Sequence, residues 1–138
     1  MVKLLIISIF AILLINTLYM DKNLLEVKSF IQRWDYHTEY HYLFYDKKEL
    51  ASSYYIIDNG NSYTLSGVYV FEKFRGKGYA KNMLYHAIDK YKEIDLQVHV
   101  ENNIAISLYM KFGFKYSDDI DNKEIRKRYR WMSNYEDK

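Results

Sequence analysis

A glycine-bearing turn in the middle of the chain has the residue types needed to hold a phosphate group. Residues 75–80, RGKGYA, lie between a predicted strand and a predicted helix. A turn of this kind directs several backbone N–H groups at one point, and the dipole of the following helix adds partial positive charge there. Gly76 and Gly78 matter because a Cβ at either position would hold an oxyanion away from the backbone. The sequence therefore predicts a phosphate-binding turn.

A glycine-rich turn can also simply end a strand, so the assignment of a function needs a second, independent segment. Residues 96–114, LQVHVENNIAISLYMKFGF, predict a strand followed by a helix and a Gly-Phe stop. Together the two stretches resemble the GNAT superfamily of N-acetyltransferases. The turn fits that family's Arg/Gln-x-x-Gly-x-Gly/Ala pyrophosphate loop. The second stretch fits the family's downstream pattern at Asn102, Ala105, Leu108, Tyr109, Gly113 and Phe114.

The resemblance implies an α+β fold with a GNAT-like mixed central β-sheet flanked by helices. It also implies acetyl-CoA as cosubstrate, no metal, and transfer of the acetyl group to a primary amine of unknown identity by direct attack. Main-chain groups of a strand that splays from its neighbour would bind the pantetheine arm and the acetyl oxygen, and the turn would bind the diphosphate. The implied cofactor-binding residues are Val68, Tyr69, Val70, Arg75, Gly76, Lys77, Gly78, Tyr79, Ala80 and Asn102.

The resemblance also assigns the catalytic acid. Tyr109 matches the family's tyrosine that protonates the sulfur of CoA, and a phenol with a pKa near 10 is protonated at neutral pH. Taken alone, one of 16 tyrosines would be interpreted as a core residue. Asn102 is predicted to bond the pantetheine arm, although a simple helix N-cap would look the same in sequence.

The base that deprotonates the amine is less well defined. Many family members have a carboxylate early in the strand before the turn, but residues 62–66 contain none, and Glu72 lies beyond the splay. His99 and Glu101, at the end of the next strand, are the candidates, acting directly or through water. Deprotonation by water without a dedicated base stays open. So does a second hypothesis, a weak or inactive module that keeps the fold and binds CoA or a partner protein.

Composition limits the remaining possibilities. A chain of 138 residues supports one domain with a real core. The absence of cysteine excludes disulfides, thiolate metal sites and cysteine nucleophiles. A net charge of +2 is too small to indicate a nucleic-acid partner. The resemblance leaves a homodimer open, and the acceptor amine would be selected by the variable regions 23–39 and 116–128.

The N-terminal segment 4–20, LLIISIFAILLINTLYM, contains no charged residue. As a helix it would span about 25 Å, slightly short of a hydrocarbon core of about 30 Å. A cleaved secretory signal should end in a small-x-small site, which is missing, and a buried strand would be too long. We therefore predict a membrane anchor over 1–21 and a catalytic domain over 22–138. Lys22, Lys28 and Arg33 follow the segment and only Lys3 precedes it, which favours a cytosolic catalytic domain.

Hydrophobic spacing and turn residues predict the elements that position these side chains. Apolar residues at helical spacing predict a core-packing helix over 23–36, ahead of the sheet. The predicted order is helix, three strands, helix, strand, helix and two strands. The later helices are expected over 81–92 and 104–112, and the strands over 40–45, 50–57, 62–71, 94–100, 114–116 and 128–132.

Overall fold

The computed structural model describes residues 25–117 and 128–136. In this part of the chain a mixed β-sheet has the strand order β1-β2-β3-β4-β5-β7-β6, and only the pair β4–β5 is parallel. The strands are β1 (Glu26–Arg33), β2 (Thr38–Asp46), β3 (Glu49–Asp58), β4 (Tyr63–Val70), β5 (Asp95–His99), β6 (Lys115–Tyr116) and β7 (Tyr129–Ser133). The helices are α1 (Tyr79–Tyr91) and α2 (Asn103–Lys111), and a 3-10 turn covers Glu72–Phe74.

The main core lies between one face of the sheet and the two helices. Alternate residues of the strands point into it, because successive side chains of a strand lie on opposite faces. Each fully buried apolar side chain contributes about 1.5–3 kcal/mol to the free energy of unfolding. The core residues are Tyr42, Phe44, Tyr54, Ile56, Leu65, Met83, Leu84, Ala87, Ile94, Leu96, Val98, Tyr109, Phe114 and Met132.

A tyrosine–histidine pair forms a hydrogen bond inside this aromatic core. The hydroxyl of Tyr54 donates a hydrogen bond to Nδ1 of His86, 2.5 Å away. Burial lowers the pKa of His86, with a smaller contribution in the same direction from Lys90. The imidazole is therefore held in its neutral form, which leaves Nδ1 able to accept the bond.

The helix predicted over 23–36 is wrong for the described residues 25–36. Glu26–Arg33 forms β1, the edge strand, and pairs antiparallel with β2 over its whole length, from Glu26–Tyr45 to Arg33–Thr38. All eight residues of β1 are exposed, so burial imposes no alternation of apolar and polar side chains. The apolar spacing therefore resembles that of a helix, but the segment is a strand because its main-chain groups pair with those of β2 at eight positions.

The other predicted elements are confirmed, with ends that differ by a few residues. The mixed sheet with flanking helices is the predicted fold class. The predicted anchor at 1–21 lies outside the described residues. Among residues 25–117 and 128–136, no helix has the length and apolar character needed to cross a bilayer.

Candidate active site

The parallel strands β4 and β5 separate after only two paired positions. Thr64 pairs with Asp95 and Leu65 pairs with Leu96, and the register ends there. Beyond this point β4 stays paired with β3 on its other side, and β5 stays paired with β7. The facing main-chain groups of residues 66–69 are therefore open to a ligand at the carboxyl ends of two parallel strands. Openings at this edge are common ligand-binding sites in sheets of this kind.

A bulge in β4, which the sequence analysis did not identify, lies at the start of this opening. Tyr55 pairs with Ser66 and Ser53 pairs with Tyr69, so two residues of β4 oppose one residue of β3. Gly67 occupies the bulge with a φ of +60°, and a Cβ there would lie 2.4 Å from Cε1 of Tyr55. Any other residue would require the ring of Tyr55 to move and would adopt a left-handed conformation that favours glycine. A glycine inside a strand pattern was the available signal.

The predicted phosphate turn follows β4 and the 3-10 turn, and it leads directly into α1. Gly76 and Gly78 have φ values of +75° and +90°. These values lie in the left-handed region of backbone conformation, which residues with a side chain rarely adopt. Gly78 is the N-cap of α1, and the first turn of that helix contains no acidic residue. A Cβ built on either glycine would have no atom within 4 Å. The turn therefore offers open space at a helix N-terminus, which suits the diphosphate of a CoA-type cofactor.

The two basic side chains of the turn are held by neighbouring groups. Arg75 donates from Nε to the carbonyl oxygen of Val70 at 3.0 Å, and its guanidinium carbon lies 5.7 Å from the ring centroid of Tyr69. Nζ of Lys77 lies 5.8 Å from the ring centroid of Phe74. Arg75 thus fixes the end of β4. A direct contribution of either charge to cofactor binding stays a prediction.

Tyr109 lies on α2, the helix that follows β5. Its side chain is only 9% exposed, and its ring centroid lies 5.8 Å from that of Phe114. Burial raises the pKa of the Tyr109 phenol above its ordinary value of 10.0. The phenol is therefore in its acid form throughout the neutral and mildly alkaline range, as proton donation to a thiolate requires.

Asn102 caps the same helix. Its Oδ1 accepts a hydrogen bond from the backbone N–H of Ala105 at 3.2 Å. This bond uses the side-chain oxygen of Asn102, whereas its side-chain nitrogen, Nδ2, keeps two N–H donors. The cap interpretation is confirmed, and a bond from Asn102 to the pantetheine arm stays a prediction.

His99 and Glu101 lie beside each other at the end of β5. Nδ1 of His99 accepts a hydrogen bond from the backbone N–H of Glu101 at 3.2 Å, and the imidazole packs edge-on against Tyr129. In a neutral imidazole this hydrogen bond places the ring proton on Nε2. The lone pair of Nδ1 is therefore already used to accept the bond from Glu101. The carboxylate of Glu101 is exposed and has no such constraint.

The tertiary structure brings most of the predicted site residues to one edge of the sheet. Residues 68–70 end β4, residues 75–80 follow them, and residues 99–102 follow β5 at the same edge. Within the described ranges, no group of three or more His, Asp or Glu side chains is arranged to hold a metal ion. These features suit a protein that uses a phosphate-bearing cofactor, and the opening between the two splayed strands is its candidate binding site.

Comparison with known proteins identifies the family. Residues 11–114 match the model of the acetyltransferase (GNAT) family, and the chain therefore belongs to that family. Among curated proteins no sequence match was found. The match begins inside the apolar N-terminal segment and ends at Phe114. It includes both motifs described above.

Solved structures share the fold. A Bacillus subtilis acetyltransferase in complex with CoA superposes with a TM-score of 0.61 at 18% identity, covering 79% of this chain and 97% of that one. A ribosomal-protein-alanine N-acetyltransferase from Escherichia coli gives 0.60 at 18% identity, with 73% and 70% covered. A spermidine N-acetyltransferase chimera of the Vibrio cholerae enzyme and hSSAT gives 0.59 at 23% identity, with 69% and 66% covered. As a member of the acetyltransferase (GNAT) family, the chain is an N-acetyltransferase with acetyl-CoA as its cosubstrate.

Proposed function

We propose that the enzyme transfers the acetyl group to a primary amine by direct attack, with both substrates bound together. The observation that supports this most is the opening between β4 and β5, which is flanked by the phosphate turn on one side and by the start of α2 on the other. The chain contains no cysteine that could take the acetyl group as a thiol nucleophile. Initial rates measured against a panel of primary amines and protein N-termini should give intersecting double-reciprocal plots.

In this proposal each part of the opening has a separate task. Backbone N–H groups of residues 76–80 bind the diphosphate, and each charge-assisted hydrogen bond contributes about 1.5–3 kcal/mol. The free main-chain groups of residues 67–69 bind the pantetheine arm and orient the acetyl carbonyl. Tyr109 gives its phenolic proton to the departing sulfur, while the attacking nitrogen loses a proton to a base at the end of β5.

We assign the proton-accepting role to Glu101, acting through water, and a positioning role to His99. The assignment follows from the bond between Nδ1 of His99 and the backbone N–H of Glu101, since protonation of Nδ1 would break this bond.

Glu101→Gln is expected to lower kcat by about 10²-fold or more, the range of a general base, with the Kd for acetyl-CoA unchanged. His99→Gln should lower kcat by a smaller factor. A large loss in His99→Gln beside a normal Glu101→Gln would reverse the assignment, as measured by steady-state kinetics.

A panel of amines also separates an active enzyme from a weak or inactive module. If none of the amines is acetylated while calorimetry shows that acetyl-CoA binds, the catalytic proposal fails and the binding module is favoured. Acetylation of one amine class above the others would name the acceptor. Spermidine and peptides with a free N-terminal alanine belong in the panel because the names of two structural neighbours specify spermidine and a ribosomal-protein alanine.

We also propose that residues 1–21 anchor the enzyme to a membrane with the catalytic domain on the cytosolic side, where acetyl-CoA is supplied. Support comes from the uncharged segment 4–20. An arginine at the centre of such a segment costs about 3 kcal/mol of insertion free energy. Full-length Leu13→Arg should therefore move from the membrane pellet to the supernatant in a carbonate wash, while the control Lys3→Arg stays in the pellet. A wild-type protein found in the supernatant would contradict the anchor.

A further inference from the structure

The turn between β2 and β3 contacts the phosphate turn, although the two are far apart in sequence. Tyr79 is the first residue of α1 and directly follows Gly78. Its hydroxyl donates a hydrogen bond to Oδ2 of Asp46, the last residue of β2, at 2.5 Å. The bond therefore links the N-terminus of α1 to a side chain 33 positions earlier in the chain.

Two buried aromatic rings fix the ends of the phosphate turn. Phe74 precedes the turn and Tyr79 follows it, and each side chain is 7% exposed. The two rings pack edge-on with their centroids 5.5 Å apart, in a small cluster that includes the fully buried Ala51. The four residues between them, 75–78, are exposed. The conformation of the turn is thus determined by its ends, and the Tyr79 hydroxyl aligns one of them.

Asp46 has an uncommon environment for a residue that only stabilises the fold. Its second oxygen, Oδ1, is buried and has no hydrogen-bond partner among the described residues. Burial of a polar atom without a partner is unfavourable, so this carboxylate reduces stability compared with a satisfied group. A residue with this cost is better explained by a function at the neighbouring turn than by a contribution to folding.

A second link joins the same two parts of the structure and offers a control. Glu49, at the start of β3, accepts hydrogen bonds at 2.8 and 2.9 Å from Nζ of Lys73 in the 3-10 turn. Both side chains of this pair are more than half exposed. An exposed ion pair contributes little, whereas the bond between Tyr79 and Asp46 is partly buried and charge-assisted.

We propose that Asp46 and the hydroxyl of Tyr79 are positioning residues for acetyl-CoA binding. The bond holds the first residue of α1 in place, so that the N–H groups of the helix N-terminus point into the phosphate turn. Without this hydrogen bond, the ring of Tyr79 stays buried against Phe74, but the N-terminus of α1 is no longer held against the end of β2. The inference depends on the placement of the diphosphate at residues 76–80.

Tyr79→Phe in the full-length enzyme tests the inference because it removes the hydroxyl and keeps the ring. We expect the Kd for acetyl-CoA, measured by calorimetry, and its KM to rise together by about tenfold, with kcat at saturating acetyl-CoA unchanged. Asp46→Ala should give the same increase, and Asp46→Asn, which keeps an acceptor oxygen, a smaller one. The double variant Tyr79→Phe, Asp46→Ala should bind no more weakly than Asp46→Ala alone, since both changes remove one interaction.

The matched control is Glu49→Gln, which breaks the exposed link and should leave the Kd for acetyl-CoA unchanged. Unchanged acetyl-CoA affinity in Tyr79→Phe would overturn the inference. So would equal losses of kcat and thermal stability with a normal Kd, since they would indicate a packing contact. Wild-type calorimetry distinguishes this failure from a failure of the site itself. If the wild-type protein binds acetyl-CoA and Gly78→Val binds it equally well, the placement of the diphosphate is wrong.

Discussion

Gly78→Val is expected to abolish measurable binding of acetyl-CoA while the protein stays folded. Gly78 is the N-cap of α1 and has a φ of +90°, and a Cβ there would point into open space within the phosphate turn. The valine side chain would occupy the position proposed for the diphosphate and would hold it away from the backbone N–H groups. Loss of two charge-assisted hydrogen bonds corresponds to about 3–6 kcal/mol, or roughly 10²–10⁴-fold in Kd. Calorimetry with acetyl-CoA measures the effect.

A branched side chain at positive φ also strains the backbone, so the experiment needs a control for strain alone. Gly60 has a φ of +89°, and a Cβ added there would have no atom within 4 Å, as at Gly78. It lies in the β3–β4 turn at the opposite edge of the sheet. Gly60→Val should therefore lower the thermal midpoint by a similar amount and leave the Kd for acetyl-CoA unchanged. If both variants bind like the wild-type protein, the phosphate turn does not hold the diphosphate.

Tyr109→Phe should lower kcat by about 10²–10⁴-fold, the usual contribution of a general acid, with little change in the Kd for acetyl-CoA. The substitution removes the phenolic proton and keeps the buried ring that packs against Phe114. Because burial raises the pKa of Tyr109, the wild-type enzyme should keep its activity well into the alkaline range. Steady-state kinetics across pH measure both expectations.

Tyr54→Phe is the matched control, because Tyr54 is another buried tyrosine of the core whose pKa burial raises. Its hydroxyl forms a hydrogen bond with His86 of α1. Removing the hydroxyl should therefore lower the thermal stability and leave kcat normal. Equal losses of kcat and of acetyl-CoA affinity in Tyr109→Phe would contradict its assignment as the acid. Normal values of both quantities would do the same.

Local sequence was enough to predict the family and the two motifs of the site. The left-handed conformation of Gly76 and Gly78 and the cap at Asn102 depend on residues within a few positions of each other. Such features follow from backbone sterics and short-range hydrogen bonding, which a short stretch of sequence is enough to specify. The mixed sheet and the acetyl-CoA dependence could be predicted because the family resemblance supplied them.

Tertiary structure alone decided the features that depend on a distant partner. Residues 26–33 have apolar spacing that fits a helix, yet they form β1 because their main-chain groups pair with those of β2, which follows later in the chain. The bulge at Gly67 packs against the ring of Tyr55, and the first residue of α1 bonds Asp46, which lies two strands away from β4. No spacing rule relates such residues, because the sheet order brings them together only after the chain has folded.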